Sequence, residues 1–210
     1  MKLIGYWRSG TSYRTRIALN LKGLTYEQDT LDLRTGQQKG ADYLALNPQG
    51  LVPALVTDDG DVLTQSPAII EWLEETYPEP FLLPSDALGR ARVRAMAAVI
   101  GCDIHPLNNL RVLKAIKGLG ADGAVTNEWA AQWIAQGFAA LEAMVAQWGG
   151  DWSYGDTPGL VDCYLIPQIY SAVRFNYDMS AHPRLAAIGE RAQTHPAFVA
   201  AHPDNQPDAD

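Results

Sequence analysis

The spacing of apolar residues divides the chain into two stretches of different character. Leu3-Ile4-Gly5-Tyr6-Trp7 predicts a short buried strand, followed by the polar turn Arg8-Ser9-Gly10-Thr11-Ser12. In the helix expected next, Ile17, Ala18, Leu21 and Leu24 keep to one face, and Gly23 suits its end. Tyr26 to Leu33 alternates roughly and reads as a second strand, and the polar stretch Arg34 to Gly40 reads as a loop. Strand-like residues at Ala54-Leu55-Val56 and Val62-Leu63-Thr64 flank Asp58-Asp59-Gly60-Asp61, whose Asp-Gly pair marks a tight turn between strands. The second of them runs into Gln65-Ser66-Pro67, with Ser66 a good N-cap and Pro67 a good first helical residue. The order β-α-β, then β-β-α, predicts a sheet with helices packed on it.

Pro78, Pro80, Pro84 and Ser85 punctuate the join to a second, almost wholly helical stretch. There Trp129, Trp133, Leu141 and Val145 recur at helical spacing, with Ile134, Phe138 and Trp148 widening the stripe. Leu160, Tyr164, Leu165 and Ile169 give another helix, which Pro167 is expected to bend. Pro183 opens a last helix carrying Leu185 and Ile188, and the polar tail from Pro203 to Asp210 is expected to be loose.

Composition narrows the function classes. A chain of 210 residues holds one large domain or two small ones, and 47% hydrophobic with 19% charged residues is an ordinary globular balance. A net charge of -8 gives no electrostatic reason to bind nucleic acid or an anionic membrane. No apolar run reaches the ~20 residues of a membrane span, and Met1 to Arg8 lacks the character of a signal peptide. A soluble cytoplasmic protein is expected. Cys102 and Cys163, in apolar helix-like stretches, are expected as free thiols in the core. The four histidines are scattered, without metal-ligand spacing.

Three places carry chemistry. The hydroxyls of Ser9, Thr11 and Ser12 lie on a strand-to-helix turn, where a helix N-terminus offers unpaired N–H groups and partial positive charge. Such a site stabilises an anion, and a thiolate is one; plain N-capping accounts for the same residues equally well. Val52-Pro53 precedes a strand. If its peptide bond is cis, the Val52 backbone can pair with a peptide ligand like an added strand; the alternative is a simple strand-opening proline. Gln65-Ser66 starts another helix and suits a carboxylate, or again only a cap.

Together these features sit in an order that resembles the thioredoxin-like half of glutathione transferases, and the helical half matches too. The stretches Tyr6 to Leu19, Ala45-Leu46-Asn47-Pro48-Gln49, Gln65 to Glu75 and Asp103 to Arg111 resemble the zeta class, which includes maleylacetoacetate and maleylpyruvate isomerases. The usual Ser-Ser-Cys of that class is Ser9-Gly10-Thr11 here, a form similar to bacterial maleylpyruvate isomerases. Gly159 stands where the family has a Ser or Thr helix cap, with Asp162 expected in the first turn.

The resemblance implies an α+β two-domain glutathione transferase fold. A thioredoxin-like βαβαββα domain would span 1–82 and an all-α substrate domain 87–210. It implies a glutathione-dependent cis–trans isomerase of a maleyl keto acid, acting in aromatic degradation as a homodimer. Ser9 and Thr11 would hold the sulfur as thiolate, and Arg8, Arg111 and Arg174 would bind the substrate. Gln38, Gln49, Val52, Pro53, Gln65, Ser66, His105 and Asn109 would contact glutathione. A general or dehalogenating glutathione transferase, and a non-catalytic binding protein of the same fold, are the alternatives.

Overall fold

The computed structural model describes residues 1–210 and separates them into two units, Met1–Leu82 with Gln193–Asp210, and Leu83–Ala192. The first unit is built on a four-stranded sheet in the order β2-β1-β3-β4. β1 (Lys2–Gly5) pairs in parallel with β2 (Glu27–Thr30) and antiparallel with β3 (Ala54–Val56), which pairs antiparallel with β4 (Val62–Thr64). Register places Leu3 opposite Leu55 and Leu55 opposite Leu63. α1 (Gly10–Leu21) packs against α3 (Ser66–Thr76), and Ile17, Leu19, Ile69, Ile70 and Leu73 join Leu3 and Leu55 in the core.

Three local expectations change. The second strand shrinks to Glu27–Thr30, because its residues are polar and mostly exposed and little rewards a longer pairing. The expected loop at 34–40 contains a tight helical turn, Gln37–Lys39, that leads into a short helix α2 (Ala41–Leu46). The tail is held. α9 (Pro196–Ala201) packs on α1, with Phe198 and Ala201 buried. Beyond it Gln206 is buried and bonded to Gln28, and the Trp7 N–H donates to Asp208 at 3.0 Å. The second unit therefore ends at Ala192, where the sequence suggested 210, since hydrogen bonds and apolar burial tie the remainder to the sheet unit.

The helical unit begins with α4 (Ala87–Ala98), which widens into π-helical turns at Val99–Ile104 and tightens at His105–Asn108. α5 (Leu110–Gly118), α6 (Gly123–Trp148), α7 (Leu160–Arg174) and α8 (Pro183–Ala192) follow. The buried stripe of α6 is Thr126, Ala130, Ile134, Phe138, Leu141 and Val145. Trp129 and Trp133 lie half-buried at its edge, where the Trp129 indole N–H reaches the Leu107 carbonyl at 2.9 Å. A tryptophan with a polar tip takes such a place more readily than the dry centre.

α7 is buried on every side from Leu160 to Gln168, Pro167 included. Its start is capped by Asp162, which accepts from the Gly159 N–H at 2.8 Å and from the Ser153 hydroxyl at 2.6 Å. Asp162 thus satisfies the Gly159 N–H, while Gly159 has no side chain to accept from the first N–H groups of the helix. Cys163 is buried, but Cys102 is exposed, contrary to expectation: the π-helical turns rotate it out of the apolar stripe. No helix is long and apolar enough to cross a membrane, and no group of His, Cys, Asp and Glu is placed to hold a metal.

Candidate active site

The turn after β1 is tight because Gly5 admits the next helix. A Cβ on Gly5 would lie 2.9 Å from the Ser12 hydroxyl oxygen, which accepts from the Tyr6 N–H. Ser9 is the N-cap of α1, its Oγ accepting from the Ser12 N–H at 3.3 Å. Ser9 Oγ lies 2.9 Å from Thr11 Oγ1, and the Thr11 hydroxyl donates to the Val52 carbonyl at 2.8 Å. Two of the three sequence clusters therefore meet, and Thr11 joins them.

The Val52-Pro53 peptide bond is cis. The loop that carries it is held by two donors on one acceptor: the Tyr43 hydroxyl and the Asn47 side-chain amide both reach the Leu51 carbonyl, at 2.6 and 2.7 Å. Gly50 is required there. Its φ is +59°, and a Cβ would lie 2.7 Å from the Gln38 carbonyl. Gln38 is thereby brought beside the loop, and its side-chain carbonyl oxygen is buried without a partner. The neighbouring Gln37 is already used, accepting from the Asp32 N–H.

The third cluster adds a second helix start. The cap falls on Gln65 rather than on the expected Ser66, which is the first helical residue; Gln65 has φ 68° and ψ 109°, a strained conformation for a side-chain-bearing residue, and its amide reaches the side chain of Gln49. Ser66 is buried at the same terminus, and Arg14 Nη1 donates to its Oγ at 3.1 Å. Arginine can only donate, so the Ser66 proton remains available to an anion at the α3 terminus.

Two further residues of α1, Arg14 and Arg16, support the site. Both are buried, and Arg16 donates to the carbonyls of Trp7 at 2.8 Å and Ala201 at 3.0 Å. The signal was there: two arginines in a helix that otherwise belongs to the core. The residues of the sheet unit named from sequence, Ser9, Thr11, Gln38, Gln49, Val52, Pro53, Gln65 and Ser66, thus lie on two helix starts and the loops beside them. Arg8 stands on the same turn, with its guanidinium over the Trp7 ring at 5.0 Å and no ion pair.

The other named residues belong to the helical unit. His105 opens the tight turn after the π-helical segment, and Asn109 caps α5, its side chain accepting from the Arg111 N–H at 3.1 Å. That bond uses one acceptor position of Asn109, and both polar side-chain atoms of its neighbour Asn108 are buried without partners. Asn108 is a further ligand candidate beside Asn109, and only the doubled Asn108-Asn109 hinted at it. Arg111 is exposed in the first turn of α5 and carries no ion pair. Arg174, exposed, ends α7 with its guanidinium 5.9 Å from the Tyr170 ring centre. An open recess of about 380 Å³ is lined by Cys102, Asp103, Trp133 and Gln136 among others, and by none of the named residues.

Comparisons with known proteins give the family. The family model "Glutathione S-transferase, N-terminal domain" matches residues 8–76, and "Glutathione S-transferase, C-terminal domain" matches 127–188. A maleylacetoacetate isomerase of Pseudomonas aeruginosa is 52% identical, over 99% of this chain and 98% of the relative. A solved holo maleylpyruvate isomerase, described as a bacterial zeta-class glutathione S-transferase, superposes with TM-score 0.97 at 52% identity, covering all of both chains. A maleylacetoacetate isomerase from Anaeromyxobacter dehalogenans, solved with glutathione in its active site, superposes with TM-score 0.91 at 46% identity, over 100% of this chain and 97% of that one. With two helix N-termini and a cis-proline edge gathered on a thioredoxin-like sheet, this chain belongs to the glutathione S-transferase family, in its zeta class.

Proposed function

We propose that the chain is a glutathione-dependent cis–trans isomerase that converts a maleyl keto acid to its fumaryl form. The observation that carries this is a thiolate-ready turn with no thiol of its own: the sheet unit contains no cysteine, and the nearest hydroxyls are Ser9 and Thr11. The residues present fit glutathione. The Val52 N–H has no partner within the chain, Gln38 Oε1 is a buried acceptor without one, and Ser66 has a proton to give.

Bound glutathione supplies the sulfur that adds to the conjugated double bond, lets it turn as a single bond, and leaves. The chain does the rest. The N-terminus of α1 favours negative charge on the sulfur, and Ser9 is the cap residue placed to donate to it. The Val52 backbone holds the tripeptide in extended form, and the α3 terminus with Ser66 takes a carboxylate. Arg8, Arg111 and Arg174 are the cations for the substrate carboxylates and for the oxygen that gains charge as the double bond is lost, a forked donor being suited to both.

The reading includes a homodimer in the cytoplasm, serving aromatic degradation. The test is the loss of cis-isomer absorbance for maleylpyruvate and maleylacetoacetate, with and without glutathione. Glutathione-dependent loss with one of them supports the reading. No glutathione-dependent change with either sinks it, and conjugation of electrophiles alone would mark a general transferase.

A further inference from the structure

The hydroxyls of Ser9 and Thr11 each carry one proton and two acceptor positions. A carbonyl can only accept, so the Thr11 proton is committed to Val52 in this structure. The 2.9 Å contact between Ser9 and Thr11 is then a bond in which Ser9 donates. Ser9 also accepts from the Ser12 N–H. The chain of protons runs Ser9 to Thr11 to Val52, and in that direction Ser9 has no proton for a sulfur.

If Ser9 turns its proton to a thiolate while Thr11 stays bonded to Val52, two oxygens face each other lone pair to lone pair at 2.9 Å. The conflict disappears when the Thr11 proton turns to Ser9. That move takes the donor from the Val52 carbonyl, which is costly unless another donor replaces it. A peptide lying along the Val52 edge brings such a donor, its backbone N–H.

We propose that Thr11 is a positioning residue that couples capture of the peptide backbone to ionisation of the thiol. The ligand N–H replaces Thr11 on the Val52 carbonyl. Thr11 then donates to Ser9, and Ser9 donates to the sulfur. Protons rotate within the chain and none is gained or lost, apart from the thiol proton released to solvent. The proposal rests on glutathione being the ligand, and it adds that the amide between its γ-glutamyl and cysteinyl residues reports to its own sulfur through Thr11.

The test compares glutathione with an analogue in which that amide is an ester, so that the N–H becomes an oxygen. The shift in thiol pKa on binding is read from thiolate ultraviolet absorbance. In the unaltered protein the analogue's thiol is expected to be lowered less than glutathione's, by about one pH unit. Thr11→Val removes the link, so both ligands should then show the same shift, and Thr11→Ser should restore the difference. Equal shifts in the unaltered protein, or a difference that persists in Thr11→Val, overturn the proposal. A thiol pKa that binding does not lower at all would overturn the glutathione reading itself, a separate outcome.

Discussion

Arg14 reaches from α1 to the first residue of α3 and donates to the Ser66 hydroxyl at 3.1 Å, with both side chains buried. It sets which way the Ser66 proton faces and puts a positive charge behind the helix start. Arg14→Met should raise KM for glutathione about tenfold, the worth of a charge-assisted hydrogen bond, and leave kcat nearly unchanged. Initial rates over a range of glutathione concentrations check this.

Ser9→Ala removes the donor expected to face the sulfur. The pKa of bound glutathione should rise, and kcat should fall about 100-fold, as when a single donor to a developing anion is lost. Thiolate absorbance against pH and single-turnover rates measure the two effects.

Arg111 has no ion pair to lose, so its removal should cost the fold little. Arg111→Ala should raise KM for a dicarboxylate substrate about tenfold or more, and should change KM much less for an analogue lacking one carboxylate. An equal effect on both substrates would remove Arg111 from carboxylate binding.

Lys22 and Glu74 form a buried ion pair, and Lys22 also donates to the carbonyls of Pro78 and Pro80, at 3.0 and 2.7 Å. Glu74 accepts in turn from the Leu82 N–H at 2.9 Å. Lys22→Met should cost about 3–5 kcal/mol because it strands a buried carboxylate, and adding Glu74→Leu should recover part of that loss. Urea unfolding of the single and double variants gives both numbers.

Burial pushes the Asp162 carboxyl up to about 6, against the pull of its donors Ser153 and Gly159. A raised carboxyl means the folded state holds its proton to higher pH than the unfolded chain. Asp162 therefore costs stability progressively as pH rises from about 4 to about 6. Asp162→Asn should melt lower at every pH, but its deficit against the unaltered protein should be largest near the acid end and smaller at neutral pH. Thermal melts of the pair across that range give the difference.

The strands, α1 and the start of α3 were legible because each depends on neighbours in sequence: alternation, a stripe, Pro67 in the first helical turn; the cap itself fell on Gln65, one residue before the Ser66 that the sequence favours. The state of Val52-Pro53 was not, since the local sequence permits both isomers and the contacts around the loop come from Tyr43, Asn47 and Thr11. The exposure of Cys102 was missed because π-helical turns break the periodicity on which a helical reading rests. Asn108 was not legible beside Asn109 because sequence shows which residues can donate and accept, but not which of them is buried without a partner.

Arg16 bridges the carbonyl of Trp7, one residue before Arg8, to that of Ala201. In the order of synthesis these partners are far apart, with the whole helical unit made between them. The turn proposed to face the sulfur thus lacks one of its buried supports until residues 193–208 have emerged. A lesion in that late segment, such as a stop codon or a disruptive fusion, would strike the earliest-made part of the active site.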